Sequence, residues 1–121
     1  IQIGPKRTDA MKLPNGERAQ LGDKLERYCL NPHHRKGKDK AAMFRDRLGI
    51  TLDNKGVLEA ALLTAAIHND ATLRTRDQYG DHYNVRCFIQ TDTGQSWVLS
   101  CWIIRQGENF PRLTNAYPIR S

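Results

Sequence analysis

Two histidines and four cationic side chains fall within the eight residues from His33 to Lys40, in the stretch Asn31-Pro32-His33-His34-Arg35-Lys36-Gly37-Lys38-Asp39-Lys40. An imidazole can move a proton near neutral pH, and Lys and Arg can hold an anion such as a phosphate. Pro32 breaks the segment before the cluster, and Gly37 lets the backbone turn. The apolar series Ala41, Phe44, Leu48 then opens a helical period. The cluster therefore sits at a loop-to-helix junction, where free backbone N–H groups also favour negative charge. The plain alternative is a solvated basic loop.

The elements that must position this cluster can be read from hydropathy periods. Residues 1–20 are polar and carry Pro5, Pro14 and the turn pair Asn15-Gly16, the pattern of a flexible tether. Leu21, Leu25, Tyr28 and Cys29 follow helical spacing, which predicts a first helix ended by Pro32. A second helix is expected over 38–48 with Gly49 as its C-cap, and a third with Val57, Leu58, Ala61, Leu62 and Ala65 on its apolar face. Asp53 or Asn54 would cap that third helix. From Ala71 the period changes to two, with turn signals at Tyr79-Gly80-Asp81, Thr93-Gly94 and Gly107. This predicts four strands, roughly 71–78, 82–91, 96–105 and 111–117, joined as an antiparallel meander. The expected fold is α+β: three N-terminal helices packed on one face of a four-stranded antiparallel sheet, with residues 21–121 as a single domain.

The chain has 121 residues, enough for one domain with a real core. Nineteen Lys and Arg against thirteen Asp and Glu give a net charge of +6, and the pI is near 9.5. That balance suits a polyanionic partner, nucleic acid first and a membrane surface second. No apolar run approaches the roughly 20 residues of a membrane span, and the start, with no Met, reads as a piece of something longer. Cys29, Cys87 and Cys101 are odd in number and form no CxxC, so a disulfide framework and a zinc site are both disfavoured. There is no clustered carboxylate pair for a metal-dependent nuclease, and a zinc deaminase would need a His-x-Glu and a Cys-x-x-Cys. No metal and no cofactor is expected.

Strand alternation puts Val85, Cys87 and Ile89 on one face of the second strand, with Asn84, Arg86 and Gln90 on the other. In the third, Leu99, Cys101 and Ile103 are expected opposite Ser100 and Trp102. Collecting one face gives Arg74, Arg76, Asn84, Arg86, Ser100, Trp102, Arg112 and Thr114. In register, this is a basic surface with one large aromatic. It would suit single-stranded RNA, with cations on phosphates and Trp102 stacked on a base. The alternative is a solvated face and a Trp that belongs to the core.

The pattern Leu25-x-x-Tyr28-x-Leu30-Asn31-Pro32-x-His34-x-x-Gly37-x-x-Lys40-Ala41-x-x-Phe44, with Leu48-Gly49 after it, resembles a domain of unnamed function found at the C-termini of polymorphic toxins. Trp102-Ile103-Ile104 and Pro111-Arg112-Leu113-Thr114-x-x-Tyr117-Pro118 are similar to that domain's last two strands. The order of helices before sheet also resembles the barnase–EndoU–colicin–RelE ribonuclease superfamily, which includes many contact-dependent growth inhibition toxins. The resemblance implies a metal-independent ribonuclease, delivered as the C-terminal part of a secreted or cell-surface protein and acting in a target cell's cytoplasm. Transfer RNA is the expected substrate. A cognate immunity protein, acidic where it meets the basic groove, and an activator in the target cell are the implied partners.

Cleavage without metal needs a base for the ribose 2′-OH, cations for the phosphorane and an acid for the departing 5′-oxygen. His34 is the candidate base or acid, Lys40 the phosphate holder, and Arg112 a bidentate phosphate contact. Thr114 and Tyr117 would position the 2′-OH or, alternatively, only stabilise the edge strand. His33, Arg35, Lys36, Lys38, Arg74, Arg76, Arg86 and Trp102 would bind RNA. No Glu–His pair of the barnase kind stands out, so the acid and base roles stay unassigned. The competing class is a non-catalytic basic module that docks on RNA or on an acidic protein.

Overall fold

The computed structural model describes residues 11–120. Its centre is a five-stranded antiparallel sheet whose spatial order is its chain order, β1 to β5. The strands are β1 (Met11–Lys12), β2 (Asp70–Asp77), β3 (Gly80–Gln90), β4 (Gln95–Arg105) and β5 (Arg112–Ile119). Two α-helices precede β2: α1 (Lys38–Leu48) and α2 (Gly56–His68). The expectation of three helices on four strands is therefore corrected. Among the described residues a fifth strand is present, and only two helices exceed a single turn or so.

The missing helix has a physical cause. Gly22 takes φ 60° and Pro32 stops the far end, leaving little room for regular winding. Residues Leu25–Cys29 form instead a wide π-helical turn, in which the Leu30 N–H donates to the Leu25 carbonyl at 2.9 Å. That winding brings Leu25, Cys29 and Leu30 inward together, all buried. Tyr28 is left beside them, half-buried, on the outer wall.

The helix α1 buries Ala41, Phe44 and Leu48, as its period predicts, and Gly49 closes it with φ 66°. Before α2, Asp53 and Asn54 do not cap the helix. They lie in a 3-10 turn over Leu52–Asn54, where the Thr51 side chain accepts from Asp53 N–H and Asn54 Oδ1 accepts from Thr51 N–H. The helix itself buries Leu58, Leu62, Ala65 and Ala66, while Val57 faces outward.

The expected tether divides in two. Residues 1–10 lie outside the described residues. Residues 11–20 are bound to the domain: β1 pairs with β2, Leu13 is buried, and Gln20 joins the outer edge of β5. There the Gln20 N–H donates to Pro111 O, and the Leu113 N–H donates to Gln20 O.

In β3, Val85, Cys87 and Ile89 are buried as alternation predicts. In β4 the expected phase is inverted. The buried face is Ser96, Val98, Ser100 and Trp102; Trp97 and Leu99 point the other way. Trp102 is fully buried, so it offers no platform to a base. Emptying a site of that size costs about 3–5 kcal/mol, which holds the ring inside. Its Nε1–H donates to Ser100 Oγ at 2.9 Å, and that hydroxyl donates to the Val85 carbonyl at 2.9 Å. Two polar groups that misled the alternation thus satisfy each other in the core.

Candidate functional site

The loop after the π turn is organised by Asn31 and His34. Asn31 Oδ1 accepts from the His33 N–H, and His34 Nδ1 accepts from both Lys36 N–H and Gly37 N–H, each at 3.0 Å. A ring nitrogen that accepts two N–H groups carries no proton, so this network assigns the neutral His34 ring its proton on Nε2. The imidazole thus presents a donor, and its acceptor lone pair is committed to the loop. Gly37 is required here because a Cβ would run into the Tyr28 carbonyl.

Tyr28 links the loop to α1. Its ring meets the His34 ring edge-on, with centroids 4.9 Å apart. Lys40, from the first turn of α1, donates to the Tyr28 hydroxyl at 2.7 Å and to Asn115 Oδ1 at 3.4 Å. Its ammonium lies 4.6 Å from the Tyr28 ring centroid and 5.2 Å from that of Tyr117. Among the described residues no carboxylate pairs with it. Two aromatic rings and two neutral oxygens therefore surround a half-buried cation. Cys29 lies beneath, and burial pushes its thiol up to about 11, which leaves it protonated and inert.

Tyr28, His34 and Asn115 of this network line an open cleft of about 710 Å³, and Lys40 is joined to its wall through Tyr28 and Asn115. Tyr28, Asn31, His34 and Lys36 form one side, Thr114 and Asn115 of β5 the other, and Asp23, Lys24 and Arg27 its rim. Asp23 is held loosely by Arg27 at 3.3 Å. Thr114 is the extra residue of a β-bulge between β4 and β5, and its hydroxyl donates to the Cys101 carbonyl at 3.1 Å. It shapes the wall, with its own proton already committed.

Of the sequence candidates, His34, Lys36 and Thr114 line the cleft, and Lys40 with Tyr117 is joined to it through Tyr28 and Asn115. Arg112 is not. Its guanidinium forms a two-pronged contact with Glu108, both distances 2.9 Å, against the Phe110 ring. Those hydrogen bonds from Arg112 hold the Glu108 carboxyl below its usual range. His33, Arg35 and Lys38 are exposed on the outside of the loop.

The expected basic sheet face is not assembled either. A bulge at Arg74 shifts β2 by one residue, so Thr72 and Thr75 pair with Asn84 and His82, while Arg76 pairs with Asp81 on the opposite face. Arg76 also lies 3.4 Å from the Asp81 carboxylate. Only Arg86 of that set lies on the open face with an aromatic, and the aromatic is Trp97, 4.8 Å from its guanidinium.

Tyr28, Asn115 and Trp97 escaped the sequence reading. Tyr28 fits the apolar period of the expected helix, and Trp97 carries no expectation of its own. The one signal for Tyr28 was its place in the same motif as His34 and Lys40. Among the described residues no three His, Cys, Asp or Glu side chains converge as a metal site, and no helix is long and apolar enough to cross a membrane.

Residues 12–120 match the family described as Domain of unknown function (DUF6883). No curated protein and no solved structure matches the chain.

Proposed function

The chain belongs to the DUF6883 family of domains of unknown function, and from that premise we propose that it is a metal-independent endoribonuclease of the polymorphic-toxin kind, with transfer RNA as substrate. The observation that carries the reading is Lys40: a cation that has no carboxylate partner among the described residues, bonded to the hydroxyl of Tyr28, which together with a histidine donor lines a cleft rimmed by Lys24, Arg27 and Lys36. Such fixed donors stabilise charge that develops on a phosphoryl group.

In this reading the Asp23 carboxylate, which faces the same cleft, takes the proton of the ribose 2′-OH. The 2′-oxygen attacks phosphorus while Lys40 and the His34 Nε2–H hold the non-bridging oxygens. The bond to O5′ breaks, and the Tyr28 hydroxyl gives its proton to O5′. The resulting phenolate stays beside the Lys40 ammonium until water returns a proton to Tyr28 and takes up the one gained by Asp23. The products are a 2′,3′-cyclic phosphate and a free 5′-hydroxyl. His34 moves from proton carrier to hydrogen-bond donor toward the phosphate, because its lone pair is occupied. Tyr117 braces Lys40. The toxin role brings the expected partners with it: a cognate immunity protein, and delivery into a target cell.

One observation favours a second reading, a non-catalytic module on RNA or on an acidic protein: the histidine has no free acceptor. A labelled transfer RNA pool in EDTA separates the two. Specific nicks ending in a cyclic phosphate are expected. Retention without nicks would leave the binding module, and nicking that vanishes on chelation and returns with Mg²⁺ would overturn the metal-free mechanism.

A further inference from the structure

The open face of the sheet carries a second hollow, of about 620 Å³, away from the cleft. Arg86, Trp97 and Leu99 line it, with Thr72 and Asn84 of the neighbouring strands and His68 at the rim. Trp97 is 37% exposed and Phe88 48%, although both are large and apolar. Their rings meet edge-on at 5.3 Å, and the Arg86 guanidinium lies against the indole. Asn84 adds an independent sign. Its Oδ1 is buried and, among the described residues, is the side-chain atom left without a hydrogen-bond partner. A buried acceptor without a partner costs free energy that a ligand N–H would recover.

Strand register joins this hollow to the cleft. Arg86 pairs with Leu99 and Leu99 with Tyr117; Asn84 pairs with Cys101 and Cys101 with Asn115. Directly paired residues share a face, so both rows end on the residues that surround Lys40. Two strand spacings of about 4.8 Å separate the ends, roughly 10 Å.

We infer that Trp97, Arg86 and Asn84 form a base-binding subsite for single-stranded RNA whose phosphate enters the Lys40 cleft. The base stacks on Trp97, its exocyclic amine donates to Asn84 Oδ1, and Arg86 neutralises the adjoining phosphate. The subsite selects an amino-bearing base (adenine, cytosine or guanine) that is unpaired, since a duplex hides both the ring face and the amine. This rests on the RNA reading of the cleft.

The test uses 2′-O-methyl RNA pentamers, which lack the attacking hydroxyl, so binding is read apart from cleavage. The probes carry adenine, N6,N6-dimethyladenine or no base. The adenine pentamer is expected to quench the exposed indole, with the quench lost in Trp97→Phe while affinity stays within a few-fold. Trp97→Ala should weaken adenine binding about tenfold or more and leave the abasic pentamer unchanged. Dimethyladenine should bind several-fold more weakly than adenine to the wild type, and equally to Asn84→Ala. Equal adenine affinity for wild type and Trp97→Ala would overturn the inference. So would an abasic pentamer that binds as tightly as adenine, or self-association through Phe88 and Trp97 with unchanged RNA affinity. Cleavage of transfer RNA that survives any of these failures leaves the cleft reading standing. Binding through Trp97 with no cleavage removes the nuclease and keeps the subsite.

Discussion

Lys40 carries its charge among neutral oxygens and ring faces, with no carboxylate among the described residues to offset it. An arrangement of this kind holds the ammonium ready for an incoming anion and needs no ion pair broken first. Lys40→Met keeps most of the aliphatic stem and removes the charge. It is expected to slow single-turnover cleavage about 10²–10³-fold, and Tyr28→Phe about 10²–10⁴-fold if the phenol is the acid. In both, binding of an uncleavable RNA should fall far less than the rate. Wild-type single-turnover rates in either variant would remove it from the mechanism. Lys40 and His34 were legible in the sequence because charge and imidazole density mark a loop directly. Tyr28 was not, because a phenol at a helical spacing reads as packing until the partner of its hydroxyl is known. Arg112 failed for the opposite reason. Glu108, four residues before it, was available to neutralise it.

At the scale of elements, close approach makes one glycine decisive. A Cβ on Gly37 would strike the carbonyl of Tyr28, the residue that ties the loop to Lys40. Gly37→Ala is expected to lower stability by about 1–3 kcal/mol, as overpacking does, and to slow cleavage by displacing Tyr28. The control is Gly56→Ala in the first turn of α2, where a Cβ meets nothing. There a gain of about 0.4–1 kcal/mol is expected from the unfolded chain. Denaturant midpoints of the two variants check both signs. Periodicity located α1 and the four long strands closely: α1, β3, β4 and β5 each bury one face, and β2, which buries only Ala71, ends at the turn signal Tyr79-Gly80. It could not set the phase of β4, where Trp97, Leu99, Ile103 and Ile104 compete with Val98 and Trp102 for the core. Nor could it find β1, whose two residues have no period, or the π turn, whose i to i+5 bond imitates a helical stripe at Leu25 and Cys29.

Across the whole molecule the net charge of +6 sets how strongly salt should matter. If Lys24, Lys36 and Lys40 each meet one phosphate, log affinity for single-stranded RNA should fall with log salt at a slope of about −2, and Lys36→Ala should make it shallower by about 0.7. The immunity partner should follow the same rule: an acidic surface over the cleft, binding that weakens with salt, and competition with RNA. An inhibitor indifferent to salt that binds alongside RNA would exclude that picture. A different consequence follows from residues 11–20, which reach from β1 beside β2 to Gln20 beside β5. The earliest described residues find their partners only far along the chain: Met11 waits for Ala71, and Gln20 waits for Arg112 in the last strand. Closing such distant pairs is slow and comes late in folding. A chain emerging N-terminus first can therefore close the β1 seam once β2 has emerged, and holds the Gln20 seam open until β5 has emerged. The last strand to appear also supplies Asn115 and Tyr117 to the cleft, so assembly of the site and closure of the fold become one event.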